Sequence, residues 1–232
     1  MEFSAPLLRG RLLQRYKRFF VDIELDTGET ITAHTPNTGS LRTCLEPGSE
    51  AYVSRSDNPK RKLAFTWELV RSGTSLVGVN TGLANTLSAE AIRAGRIPAL
   101  EGYATLRREV RYGTNSRVDL LLEDDARPPC YVEVKNVSMG RESIAAFPDA
   151  VSTRAAKHMN ELAAQVREGR RAAVLFCVQR MDCRMFQPAD DIDPAYGEAL
   201  RQAARAGVEV LAWRAEVSPR GIALVASLPV EL

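Results

Sequence analysis

From Phe19 to Leu25 apolar and polar side chains alternate, and the pattern breaks at Asp26-Thr27-Gly28. Glu29 to Ala33 makes a second short run that ends at Thr35-Pro36-Asn37-Thr38-Gly39. Three more follow: Ala51 to Val53 after Pro47-Gly48, Lys62 to Val70, and Ser75 to Val79. Alternation at period two, bounded by Gly and Pro, is the pattern of half-buried strands. No clear amphipathic helix interrupts them. Roughly five strands within residues 1–82 predict a small all-β barrel, five-stranded and of the oligonucleotide-binding (OB) type first, SH3-like second.

The period changes near Asn80-Thr81-Gly82. Ala84 to Ala94 places Leu87, Ala91 and Ala94 on one stripe and meets Gly95 as a stop. Strand-like runs follow at Tyr103 to Arg111, Arg117 to Glu123 and Cys130 to Val137. Ser152 to Glu168 carries Ala155, Met159, Leu162, Ala163 and Val166 on one helical face and stops at Gly169. Ala172 to Val178 is continuously apolar, as a strand buried on both faces must be. A helix over 194–206, then Val208 to Ala212 and Gly221 to Val230, complete the order α-β-β-β-α-β, α-β-β. Residues 83–232 therefore read as an α/β domain with a central mixed sheet, making the chain a two-domain α+β protein.

Composition narrows the classes. With 45% hydrophobic and 26% charged residues in 232, the chain is neither disordered nor a disulfide mini-protein. It holds no run of membrane-spanning length and no signal-peptide core at Met1–Pro6, so a cytoplasmic protein without a membrane partner is expected. Cys44, Cys130, Cys177 and Cys183 make no C-x-x-C pair, and with only His34 and His158 nothing has zinc spacing. The net charge is only +2, but it is unevenly spread: residues 1–82 hold 11 basic and 9 acidic side chains. Arg9, Arg11, Arg15, Lys17 and Arg18 fall in an acid-free stretch, and Lys60-Arg61-Lys62 makes a second knot. A solvated face explains either cluster alone; together they point to a polyanion. Arg15, Tyr16, Lys17, Arg18, Lys60, Arg61 and Lys62 are the candidate nucleic-acid contacts, Tyr16 and its neighbours Phe19 and Phe20 as stacking rings.

Two residues stand out in the α/β half. Asp119 sits in the strand-like run Val118-Asp119-Leu120-Leu121-Leu122, where a carboxylate must be paired, hydrogen-bonded or metal-bound. In Tyr131-Val132-Glu133-Val134-Lys135-Asn136-Val137, alternation turns Glu133 and Lys135 to the same face. A hairpin centred on Ala126 sets Asp119 opposite Glu133, and two facing carboxylates repel unless a cation lies between them. A divalent ion with oxygen ligands fits there, with Lys135 beside it. The bland alternative is a structural ion network closed by Arg107, Arg117 or Lys135. His158 reads first as a packing histidine.

This arrangement resembles the PD-(D/E)xK nuclease superfamily, whose αβββαβ core carries Asp on the second strand and Glu-x-Lys on the third. The resemblance implies catalytic Asp119, Glu133 and Lys135, with Glu90 of the first helix joining them. It further implies Mg²⁺ or Mn²⁺ held by Asp119, Glu133 and the carbonyl of Val134, and an accessory Gln at Gln179. Val118 stands where Pro is usual. A narrower likeness runs nearly end to end, through Leu13-Gln14-Arg15-Tyr16-Lys17-Arg18-Phe19, His34-Thr35-Pro36-Asn37-Thr38-Gly39-Ser40, Asn58-Pro59-Lys60-Arg61-Lys62 and Phe147-Pro148-Asp149-Ala150. In these the chain is similar to the sugar fermentation stimulation protein family, with Ala84 and Ala155 standing where that family has Pro and Gly. That likeness implies an OB-like domain over 1–82, a nuclease-like domain over 83–232, and DNA binding, duplex and weakly sequence-specific, tied to sugar (maltose) utilisation. The expectation is a DNA-binding protein with a divalent-metal-dependent phosphodiesterase site; the alternatives are a non-catalytic DNA-binding regulator on a nuclease scaffold, and RNA as substrate.

Overall fold

The computed structural model describes residues 1–112 and 116–232. Its first strand, β1 (Leu8–Tyr16), runs through the basic cluster of Arg9, Arg11 and Arg15 and is not among the five expected strands. There Gly10 and Leu12 turn inward while Arg9, Arg11 and Leu13 face solvent, so the arginines are the polar half of a strand alternation. β1 pairs antiparallel with β2 (Phe20–Leu25) on one side and β4 (Glu50–Arg55) on the other. β3 (Thr30–His34) follows β2, and β5 (Phe65–Ser72) follows β4. A parallel contact between β3 and β5, at Ala33 opposite Phe65 and His34 opposite Thr66, closes the five-stranded barrel. The run Ser75 to Val79 is not one of the five: β6 (Ser75–Gly78) extends β5 outside the closure. Leu12, Val21, Ile23, Val53, Trp67 and Val70 fill the barrel.

After a tight turn at Thr81–Leu83, α1 (Ala84–Arg93) leads into β7 (Thr105–Tyr112), β8 (Ser116–Asp124) and β9 (Arg127–Val137). Then come β10 (Gly140–Arg141), β11 (Ile144–Phe147), α2 (Thr153–Arg167) and β12 (Arg171–Val178). β13 (Met185–Pro188), α3 (Pro194–Arg205), β14 (Glu209–Ser218) and β15 (Gly221–Leu228) finish the chain. The main sheet runs β15-β14-β12-β9-β8-β7, with β9, β12 and β14 parallel and antiparallel neighbours at both ends. α1 packs on one face, α2 and α3 on the other, which is why Ala172 to Val178 shows no polar alternation. Ser152 and Asp193 cap α2 and α3 by accepting backbone N–H bonds from Ala155 and Tyr196. Pro128 and Pro129, expected in the turn, lie within β9. They are tolerated because β12 begins opposite Cys130, so that edge of β9 carries no ladder at the prolines.

The two halves are packed together. Tyr52 and Leu69 of the barrel share an apolar cluster with α1 and the sheet. The chain start returns to the far edge of the molecule, where Phe3 N–H donates to Arg220 and Ile222 N–H to Met1. Gln179 sits buried at the junction, its carbonyl accepting from Gly78 N–H at 2.8 Å and its N–H donating to Val137 at 2.9 Å. A Cβ on Gly78 would collide with its side chain. The four cysteines are free and buried. Among the described residues, no helix is long and apolar enough to cross a membrane.

Candidate functional site

Strands β8 and β9 pair as Leu120 with Val132, Leu121 with Tyr131 and Leu122 with Cys130, the register of a hairpin centred on Ala126. The ladder stops at Leu120. One residue on, the Asp119 side chain takes over as acceptor, its Oδ2 receiving the Val134 N–H at 2.7 Å. An extended residue turns its N–H and C=O to the same strand edge, so the Val134 carbonyl leaves β9 on the side of Asp119.

Asp119, Glu133 and Lys135 line one cleft of about 570 Å³, with Glu109, Arg117, Arg154 and Lys157 around its rim. Glu133 is buried, and its Oε1 meets Lys135 Nζ at 2.7 Å and His158 Nδ1. Its Oε2 has no hydrogen-bond partner although it is out of reach of solvent. Burial opposes ionisation of Glu133, but the His158 hydrogen bond and the Lys135 charge outweigh it and hold this carboxyl below its ordinary value. Asp119 goes the other way. Burial first and the Glu133 charge second push it up to about 6, against the bonds from Val134 and Asn85. The two facing carboxylates are thus driven apart in acidity.

Glu90 does not join them. Its carboxylate is exposed and pairs with the Met1 ammonium at 2.7 Å. α1 instead reaches the cleft through Asn85, whose Nδ2 donates to Asp119 Oδ1 at 2.9 Å and Glu109 Oε1 at 3.2 Å. Glu90 lies five positions after Asn85, a rotation of roughly 140° about the helix axis, so both cannot face the sheet edge. The acid that does lie beside Asp119 is Glu109 of β7, with a left-handed φ of 54° rare for a Glu. A Glu flanked by arginines in Arg107-Arg108-Glu109 gives no signal in sequence, since charged residues on an edge strand are ordinary. His158, expected to be a packing residue, contacts both Glu133 and Lys135. Of the arginines considered for a structural network, Arg107 pairs with Glu123 at 2.7 Å and leaves Asp119 alone. Gln179 does not line the Asp119 cleft; its Nε2 faces Asn136 Oδ1.

On the barrel, Tyr16, Lys17 and Arg18 are exposed at the tip between β1 and β2, and Lys60 and Lys62 are exposed before β5. Arg15 is placed differently from a phosphate contact. Its guanidinium donates to the carbonyls of Asn37 at 2.7 Å, Arg18 at 2.8 Å and Gly39 at 2.9 Å. It organises the loop after β3. Arg15→Ala is expected to lower unfolding free energy by about 1–3 kcal/mol, because buried or half-buried carbonyls lose their donor. Urea denaturation checks this; an unchanged midpoint would return Arg15 to the set of free surface cations.

A closed OB-type barrel joined to an α/β unit with a mixed sheet, with facing carboxylates beside a lysine at the open end of a hairpin, defines a two-part fold with one acidic cleft. Comparison with known proteins narrows the class. The family description "Sugar fermentation stimulation protein RE domain" matches residues 82–221, and "SfsA N-terminal OB domain" matches residues 13–79. The chain belongs to the sugar fermentation stimulation protein family. It is 57% identical over 235 residues to the homologue of Nitrosococcus oceani, covering all of both chains. It is 55% identical to that of Maricaulis maris, covering all of this chain and 99% of the relative. A solved structure, Pyrococcus furiosus SfsA in complex with Ca²⁺, superposes with a TM-score of 0.90 at 29% identity, covering 100% of this chain and 98% of the other.

Proposed function

We propose that this protein binds DNA with little sequence preference, on a barrel over residues 1–82, and cleaves phosphodiester bonds in the nuclease-like unit over 83–232 with a divalent cation. The observation that carries the reading is the unpartnered, buried Glu133 Oε2, in one cleft with an Asp119 that is itself hard to ionise. Among the described residues no three His, Cys, Asp or Glu side chains converge on one position. Mg²⁺ and Mn²⁺ do not need that: one or two carboxylates, a carbonyl and water suffice. Asp119, Glu133 and the Val134 carbonyl supply that oxygen set, and the Ca²⁺ of the Pyrococcus furiosus relative is an ion of the same hard, oxygen-seeking kind.

When bound, a divalent cation neutralises phosphoryl charge and makes water nucleophilic near neutral pH. Lys135 Nζ, fixed by Glu133, adds a positive group where negative charge grows. His158, accepting from Arg154 Nε at Nε2, holds Glu133 from behind through Nδ1. The exposed Lys17, Arg18, Lys60 and Lys62 neutralise phosphates of duplex DNA, an attraction that falls steeply with salt. Incubating the protein with labelled DNA in Mg²⁺ or Mn²⁺, against EDTA, tests the reading. Cleavage that needs the ion and Asp119 supports it. Intact DNA in every condition, with binding retained, would replace it by the alternative, a non-catalytic DNA-binding regulator of sugar (maltose) metabolism.

The acidity of Asp119 sets a further expectation. Below about pH 6 this carboxyl carries a proton that a cation must displace. Divalent affinity should therefore rise with pH through 6 and level off near 7, with proton release approaching one per ion below pH 6, about half at the midpoint and none above about 7. Calorimetry in buffers of different ionisation enthalpy reads that proton. A pH-independent affinity between 5 and 8 would remove Asp119 from the ligand set.

A further inference from the structure

The Asp119 cleft continues past the α/β unit. A second hollow of about 540 Å³ opens beside it, and Lys135, Phe147, Ser152 and Arg154 line both. The far wall of the second hollow belongs to the barrel: Arg18, Asn37, Thr38 and Gly39. That wall is fixed at both ends. Arg15 holds the Asn37 and Gly39 carbonyls, and Leu41 N–H donates to Asp149 Oδ2 at 3.0 Å, across to the α/β unit. A Cβ at Gly39 would collide with the Asp149 carboxylate, so the two loops interlock closely. Barrel end and catalytic cleft are two stretches of one groove.

At the barrel end of the groove, the residue that follows the groove-lining Arg18 carries an exposed ring. Phe19, next to Arg18, is 45% exposed and lies parallel to the His34 ring with centroids 6.5 Å apart. Basic residues adjoin each member of this pair along the chain or across the sheet. Lys17 and Arg18 form the hairpin tip, held at left-handed φ values of 48° and 63°. Thr66 pairs with His34, and Arg61 donates to Thr66 Oγ1 at 2.9 Å, which brings the Lys60–Lys62 loop to the same end. Farther along the groove, Val151 is 72% exposed beside Arg154. Exposed flat rings and apolar side chains set among cations match a chain of phosphates carrying unstacked bases. In a duplex the bases stack on each other and show only their edges; in a single strand each offers a face.

We propose that the groove receives an unpaired stretch of nucleic-acid strand, a base stacking on Phe19 and the backbone passing Arg18 and Arg154 toward Asp119, Glu133 and Lys135. The proposal rests on the phosphodiesterase reading of the cleft and specifies its substrate: a single strand, or the unpaired end of a duplex. A duplex meets the outer cations, and its unpaired end enters the groove.

Fluorescence anisotropy on the full chain in EDTA tests this with three DNA probes: a short blunt duplex, the same duplex with a single-stranded overhang, and the overhang strand alone. The overhang and single-strand probes should bind about tenfold or more tighter than the blunt duplex. Phe19→Ala should remove about that factor from those two and leave blunt-duplex binding unchanged, while Arg18→Glu and Arg154→Glu weaken them further. Arg220→Glu, an exposed charge at the β14–β15 turn, should change none of the three. Equal wild-type affinity for blunt and overhang probes, or a Phe19→Ala loss shared by all three, overturns the proposal. A divalent-ion titration of the same wild-type protein separates the two readings. Preference for unpaired DNA without ion binding removes the phosphodiesterase site and keeps the groove; ion binding without the preference does the reverse.

Discussion

Asp119→Asn is expected to abolish divalent-ion binding and to lower ion-dependent cleavage by on the order of 10³-fold, without loss of fold. The new amide keeps one oxygen for the Val134 N–H. Its NH₂ replaces an acceptor, and Asn85 can meet it by turning its own amide over. Stability should rise at high pH. Asp119 is held at about 6 against an ordinary 3.8, so the fold favours its protonated form. That contribution is fully present below 3.8 and is lost as pH climbs through 6. At pH 8 the wild type carries a penalty of ~2–3 kcal/mol that Asn escapes; at pH 3 the two proteins should be nearly equal. Denaturation at the two pH values, beside calorimetry with Mn²⁺, measures both halves. A variant with wild-type ion affinity, or one markedly less stable at pH 8, would make Asp119 a structural hydrogen-bond acceptor and nothing more.

Lys135→Ala should give the opposite combination: cleavage reduced by about 10²–10³-fold, with ion binding retained or tightened. Lys135 Nζ lies 2.7 Å from Glu133 Oε1 and competes for the carboxylate that a cation would use. Its removal leaves the buried Glu133 charge with His158 as its remaining partner, at a cost of about 3 kcal/mol to the ion-free fold. Added Mn²⁺ should restore that loss by binding the folded state, so the ion-induced rise in Tm should exceed that of the wild type. Thermal melts with and without the ion, together with cleavage rates, decide the matter. Cleavage at the wild-type rate would show that Lys135 serves the fold by pairing with Glu133 and has no part in the reaction.

The elements were largely legible because their signals are local. Period-two alternation, a 3.6-residue stripe and Gly or Pro stops reflect backbone geometry within a few residues, and they placed α1, α2, α3, β8 and β12 within a residue or two, whereas β9 begins three residues earlier and β14 runs six residues further than the pattern marks. Even the meeting of Asp119 with Glu133 could be read, since a hairpin with a short turn has one register that keeps Leu120, Leu122, Val132 and Val134 on the core face. β1 carries the same alternation, but the arginines on its outer face give a charge signal that masks the strand signal.

What could not be read depends on contacts between segments far apart in the chain. Which face of α1 looks into the cleft follows from how the helix docks, and that choice brought in Asn85 and left Glu90 outside. Glu90 finds its partner in the Met1 ammonium because the chain start folds back onto β15, more than 200 residues away in sequence. Arg15 became a loop organiser once the segment after β3 curled within its reach, and His158 met Glu133 only when α2 lay across β9. Periodicity says which side of an element is buried. It is silent on what that side meets, because a side chain's partners are set by the packing angles of whole elements, and those arise from the summed burial of surfaces that no local stretch contains.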